Sequence, residues 1–340
     1  MAILGAGTLG RAFAAAARSI DWPITGVVSD DGRAADELAA EVDVPRAATT
    51  DLVGAGRPDL AVLAAPVDDH AATIAGLLTA GIPTLAAPPL APTLAECRAI
   101  SGVVDRSGGH LDLTDHLLAS PAVQQLLAGV ARLRPPLRHL SASVLAPRPG
   151  GERLDDRCDA GLGGVLFHRG GAAVAALLLG ARIARWGEPR EVSATIDRSA
   201  ADRTVVHIGF DQSDRATLEI AWSADEIPVW GLQAAGDHEV YRAEMHPRPM
   251  LELNGNEVHL PGRRLGDRMH PADALGFAPA LRLLWADVEA PRGPLVDVAA
   301  GTLLWEIVAA AHASATGGGE RVPLPFQGHP HEPPARIGAP

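Results

Sequence analysis

Lysine is missing from all 340 residues, so the 29 basic side chains are arginines and no side-chain amine is available for chemistry or binding. Abundant alanine, arginine, glycine and proline beside that absence match the drift of a GC-rich genome. Cysteine is scarce too: Cys97 lies in a helical stretch and Cys158 in a Gly/Asp-rich one. Two cysteines exclude a disulfide framework and show no metal-ligand spacing. Acidic residues number 41 and leave a net charge of −12, which argues against nucleic acid and anionic membrane surfaces as partners. No run of about 18 apolar residues is present, and the first residues lack the layout of a signal peptide. A soluble cytoplasmic protein acting on a small molecule is expected. What the chain does have is 47% hydrophobic residues, enough for a large core in more than one domain.

The most informative segment is the first. Gly5, Gly7 and Gly10 follow a short apolar run and precede Arg11 to Arg18, a strong helix former by composition. That is the strand, turn, helix order of a dinucleotide-binding loop. Gly5 would permit the tight turn, Gly7 the close approach of a pyrophosphate, and Gly10 close packing of helix on strand, with Thr8 and Leu9 at the helix start. A second apolar strand, Ile24 to Val28, ends in Ser29-Asp30-Asp31. Asp30 is placed to accept the hydroxyls of an adenosine ribose and to repel a 2′-phosphate, which favours NAD over NADP. The alternative for Asp30 is a solvated turn or helix cap.

Residues 1–115 alternate strand-like and helix-like segments: Asp59–Ala65 reads as a buried strand, Asp69–Ala80 as a helix, Thr84–Ala86 as a strand. This alternation predicts an α/β Rossmann domain with a parallel sheet. In 116–320 the period changes to two over His139–Leu145, Val205–Phe210, Ala216–Trp222 and Met250–Leu253, with Asn254-Gly255 as a hairpin signal. Helices over 163–180 and 295–316 complete an α+β domain with a mostly antiparallel open sheet. The tail 321–340, rich in proline and glycine, is expected to be an extended strap or disordered.

In order, these pieces resemble the Gfo/Idh/MocA family, the glucose-fructose oxidoreductase and inositol dehydrogenase group, over nearly the whole chain. The likeness rests on Gly5-Ala-Gly-Thr-Leu-Gly10, on Ala64 to His70 (which includes Ala65 and Pro66), on Pro89 to Thr93, on Gly163-Gly164 with Gly170, and on Ser314 to Pro325. It implies a Rossmann domain, an open-sheet substrate domain that often mediates dimers, and bound NAD; a homodimer or larger homo-oligomer is expected. Ala65, Pro66 and His70 fall at the family's cofactor cleft. The departures concern catalysis. Ala87-Pro88-Pro89 aligns with the family's Glu-Lys-Pro, and His168, Ala172 and Ala175 align with its Asp, His and Asp. The family's lysine, acid/base histidine and aspartate are therefore all replaced, which argues against polyol or sugar oxidation.

Hydride transfer to C=O, C=N or an activated C=C still needs a proton donor. His168, at the family's active-site aspartate, is the first candidate; the alternative is a structural histidine at a helix start. Asp112, Asp115 and His116 form a second cluster in which a carboxylate could orient an imidazole, or in which Thr114 or Asp115 merely caps a helix. Asp156 and Arg157, in the acidic loop that also holds Asp155 and Asp159, could bind a polar or carboxylate substrate. His329, His331 and Glu332 lie among prolines and are not read as metal ligands. Two functions follow: an NAD(P)-dependent oxidoreductase with an altered site, or a non-redox dinucleotide-binding protein that has lost the family chemistry.

Overall fold

The computed structural model describes residues 1–48, 57–65, 67, 70–133, 137–147, 164–197, 203–211, 214–223, 228–246, 248–290 and 293–327. They pack as two units, one of 1–121 with 261–302 and one of 122–260 with 303–340.

The first unit opens on β1 (Ala2–Leu4), all three residues buried, as expected of a central parallel strand covered on both faces. It pairs in parallel with β2 (Gly26–Val28) on one side and β3 (Ala61–Leu63) on the other. Strands β4 (Thr84–Ala86) and β5 (Leu111–Asp112) complete the order β2-β1-β3-β4-β5. The chain therefore reverses its direction of travel across the sheet between β1 and β3, a switch point at whose carboxyl edge ligands bind in open α/β sheets. Helices α1 (Thr8–Ser19), α2 (Gly32–Glu41), α3 (His70–Thr79) and α4 (Leu94–Ser107) are the crossovers, and α5 (His116–Ala119) follows β5. The ends of α4 obey local rules. Thr93 caps its start, bonded to Glu96 as a capping box, and Gly108 at φ 60° ends it.

The second unit holds α6 (Pro121–Val130, all but its first residue), α7 (Gly164–Arg169) and α8 (Gly171–Ala184). The helix expected over 163–180 breaks at Gly170, where a Cβ would sit 2.4 Å from the carbonyl oxygen of Leu166. Its sheet contains β6 (His139–Pro147), β7 (Pro189–Asp197), β8 (Arg203–Phe210), β9 (Arg215–Ser223), β10 (Val229–Ala235), β11 (Val240–His246), β12 (Met250–Leu253) and β13 (Asn256–Glu257). Leu218, Ile220 and Trp222 of β9 share the buried face, as their period-two spacing requires. Asn254 and Gly255, at φ 52° and 79°, turn the chain from β12 into β13 as a type I′ pair does. One join is parallel, β6 with β9, so the sheet is mixed and otherwise antiparallel.

After β13 the chain returns to the first unit. The two-stranded β14 (Arg264–Leu265) and β15 (Arg268–Met269), then α9 (Pro271–Ala274) and α10 (Phe277–Glu289), add Ala278, Ala280, Leu281 and Leu284 to the core of Ile3, Phe13, Val27 and Leu38. Sequence periodicity alone assigned all of 261–302 to the second domain. Helix α11 (Val298–Thr316) spans the unit boundary, and β16 (Val322–Pro323) pairs with β7 at the end of the large sheet. By length and composition α11 is apolar enough to cross a membrane, and about half of it is buried within the protein. Its apolar residues do not form an unbroken run, because Thr302, Glu306 and His312 interrupt them.

Candidate functional site

At the switch point the three glycines have three different surroundings. Gly5 turns the chain at φ +107°, and a Cβ on it would lie 2.4 Å from the backbone carbonyl of Ala64. Gly10 is equally closed, since a Cβ there would lie 1.9 Å from the oxygen of Gly5. Gly7, between them, has nothing within 4 Å of its Cβ direction. It is the N-cap of α1 at φ −74°, makes no side-chain cap bond, and the first turn of α1 carries no acidic residue. The loop is thus closed at Gly5 against the end of β3 and at Gly10 against Gly5 itself, and open in the middle, at a helix end with partial positive charge and amide hydrogens to spare.

Beside it, β2 ends before the exposed Asp30, while Asp31 accepts the Ala34 amide at 3.0 Å and caps α2. The capping role weighed for this acidic pair thus falls to Asp31. On the other side, Ala65 follows β3, and the buried His70 donates from Nε2 to the Ala65 oxygen at 3.0 Å. That bond ties the start of α3 to the turn above β3. Pro66 lies outside the described residues.

At the edge strand β5, Asp112 is buried, and burial pushes its carboxyl above the ordinary carboxylate range, partly offset by bonds from Thr114. The Thr114 amide donates to Asp112 at 2.7 Å. Asp115 accepts the Leu117 amide at 2.8 Å and caps α5, and the same oxygen lies 3.2 Å from Nδ1 of His116. The imidazole of His116 is stacked on Phe277, with centroids 4.0 Å apart and planes at 7°. Gly276, at φ +86°, makes the stack possible, because a Cβ there would lie 1.7 Å from the His116 oxygen. Asp115 therefore caps a helix and also stands beside an imidazole. A second pair escaped the sequence analysis: His110 Nε2 lies 3.2 Å from Asp287 on α10. Neither Phe277 nor Asp287 had a local signal, since each reaches the site through the long return of 261–302.

In the second unit, Ala172 and Ala175 of α8 are buried methyl groups where the resemblance expects a histidine and an aspartate. The backbone of His168 lies in α7; its side chain lies outside the described residues, as do Asp155, Asp156, Arg157, Asp159, His329, His331 and Glu332. In the first unit, the peptide Pro88–Pro89 is cis, and Ala87 donates to Leu63 at the end of β3. No side chain able to exchange a proton occupies 87–89.

Residues 1–112 match the family described as the oxidoreductase family with an NAD-binding Rossmann fold, Gfo/Idh/MocA. No curated protein matches the sequence. Among solved structures, the fold is similar to that of a candidate myo-inositol dehydrogenase from Sinorhizobium meliloti, with TM-score 0.78 and 17% identity over 95% of this chain and 98% of that one. It is similar also to a candidate NADPH-dependent oxidoreductase from Desulfitobacterium hafniense, with TM-score 0.78 and 14% identity over 95% and 96%. An oxidoreductase from Agrobacterium radiobacter, in complex with NAD+, L-tartaric acid and magnesium, matches with TM-score 0.74 and 13% identity over 95% and 97%. Identities this low establish a shared fold.

Proposed function

We propose, from the match of residues 1–112 to the Gfo/Idh/MocA oxidoreductases with an NAD-binding Rossmann fold, an NAD(P)(H)-dependent oxidoreductase with a rebuilt proton-transfer site, reducing a C=N, C=C or C=O bond of a small metabolite. The observation that carries the reading is the β1–α1 loop, closed at Gly5 and Gly10, open at Gly7, and ending in an uncapped helix. A diphosphate fits such a cradle: backbone amides face it and no Cβ fills it.

NAD(P)H supplies the hydride when bound, and the chain supplies position and a proton. Gly7 and the first turn of α1 would hold the diphosphate, and the exposed Asp30 at the end of β2 would accept the ribose hydroxyls, favouring NADH. His168 is the first proton donor in this reading, because it stands where the family has an acidic residue. His116 is the second, its Nδ1 beside Asp115 and its ring stacked on Phe277, an arrangement that fixes its orientation. The residues at 87–89, with Ala172 and Ala175, offer no proton donor, which argues against the polyol oxidation that a lysine and histidine would serve.

Those same losses favour a second reading, a non-redox protein that binds a dinucleotide to regulate or scaffold. Binding and turnover separate the two. NADH fluorescence is expected to change on titration with the protein at or below millimolar concentration. Gly7→Ala should weaken that binding at least about tenfold, a loss of about 1.4 kcal/mol, while its melting curve overlays the parent's. If the parent binds neither NAD(H) nor NADP(H), the oxidoreductase reading fails. Binding with no oxidation of NADH across a panel of ketones, imines and enones would select the second reading.

A further inference from the structure

Downstream of α2 the chain runs back alongside β2. Val27 and Arg46 form a parallel bridge, and the Ala47 amide donates to Val27 at 2.9 Å. That bridge directs Arg46 over the turn between β2 and α2. Its guanidinium lies against Gly32, so that a Cβ on Gly32 would come within 3.0 Å of Nη1. The turn is the one that carries Asp30, two residues before Gly32, and Asp31 is already committed to capping α2. Arg46 is 47% exposed, and its contact with Asp36 is 3.7 Å, an ion pair at the long end of the range between two solvated groups. Arg33, in the first turn of α2, reaches Glu37 at 3.9 Å and is 87% exposed.

A loose surface pair holds its cation weakly, so a better anion can claim it. A phosphate monoester is such an anion, because a guanidinium presents two parallel N–H donors that match two of its oxygens. Resting on the proposed dinucleotide site, we infer that Arg46 is a specificity-determining residue: beside the ribose carboxylate of Asp30 it forms a seat for a 2′-phosphate, so the protein takes NADPH as well as NADH. Asp30 repels the added phosphate and Arg46 attracts it. The two effects oppose each other within one turn, and the chain discriminates only modestly between the cofactors. Gly32 belongs to the device, since the guanidinium packs where any other side chain would begin.

Calorimetric titration of the full chain and of Arg46→Gln with NADH and with NADPH decides it. The parent is expected to bind the two with dissociation constants within about tenfold of each other, and Arg46→Gln to weaken NADPH about fivefold or more while NADH stays within about twofold. The NADPH affinity of the parent should also fall more steeply with salt, because the extra contact is between exposed charges. Parent protein that binds NADH but takes NADPH at least about a hundredfold more weakly overturns the inference and leaves the proposed function standing. Equal weakening of both cofactors in Arg46→Gln would assign Arg46 to the shared adenosine and overturn the inference as well. Binding of neither cofactor by the parent removes the proposed function, and this inference with it.

Discussion

Asp112 shows what burial does to a single side chain. It is held by Thr114 at the end of β5, with His110 lowering and Asp287 raising its proton affinity, yet desolvation dominates and the carboxyl titrates above its ordinary value of 3.8. A carboxyl whose pKa is raised by folding adds stability while protonated. The contribution is fully present below the ordinary value and is lost as pH rises through the folded value. Asp112→Asn keeps an oxygen for the Thr114 amide and removes the charge. The variant should therefore gain stability over the parent as pH rises from about 4 to about 8, by an amount on the order of 1 kcal/mol, measured by denaturant melts along that range. An offset that is constant with pH would show that the Asp112 charge has no linkage to folding. The glycine loop, in contrast, was readable residue by residue, because the constraint on each position is local: a positive φ at Gly5 and a backbone atom in the path of any Cβ at Gly10. The His116–Phe277 stack was not, since nothing near either residue in the chain refers to the other.

Elements divide the same way. Strands β4 and β12 coincide with their sequence-based bounds, and the Asn254-Gly255 turn joins β12 to β13, because period and turn chemistry are local properties. Strands β7, β10 and β11 were not anticipated. β10 begins Val-Trp-Gly, and β11, Val-Tyr-Arg-Ala-Glu-Met-His, buries only Ala243 and Met245, so their apolar faces emerge only from their neighbours in the sheet. The return of 261–302 to the first unit is pinned by a buried ion cluster. Asp273 in the first turn of α9 accepts from Arg263 at 2.6 Å and from Arg282 at 2.8 Å, and Arg263 also bonds Ser19 at the end of α1 through its backbone oxygen and its hydroxyl. Asp273→Ala removes both ion pairs and leaves the half-exposed arginines to water. It should cost about 2 kcal/mol in chemical denaturation, with a midpoint shift and little change in slope. A loss below about 0.5 kcal/mol would mean that apolar packing of α10 alone holds the segment.

At the scale of the molecule, the glycine loop proposed to bind the cofactor lies in the first unit and His168 in the second. A proton donor and a cofactor clamp differ in what they change. With the first carbonyl, imine or enone found to oxidise NADH, His168→Ala is expected to lower kcat at least about a hundredfold and leave NADH affinity within about twofold. His116→Ala, run beside it, identifies the donor if His168→Ala leaves kcat unchanged. Loss of NADH binding in His168→Ala would assign that residue to the fold or the cofactor instead.

Composition, period and spacing by themselves determined an α/β domain followed by an α+β domain, a strand, glycine turn and helix at the start of the chain, and the absence of any lysine. Each of these depends on residues a few positions apart, where backbone geometry and side-chain volume act directly. Tertiary structure alone decided that 261–302 completes the first unit, that Phe277 backs His116, that Asp287 meets His110 and that Arg46 lies over Gly32. Those contacts join residues far apart in the chain, and only the closing of loops onto a common core brings their charges and rings within reach.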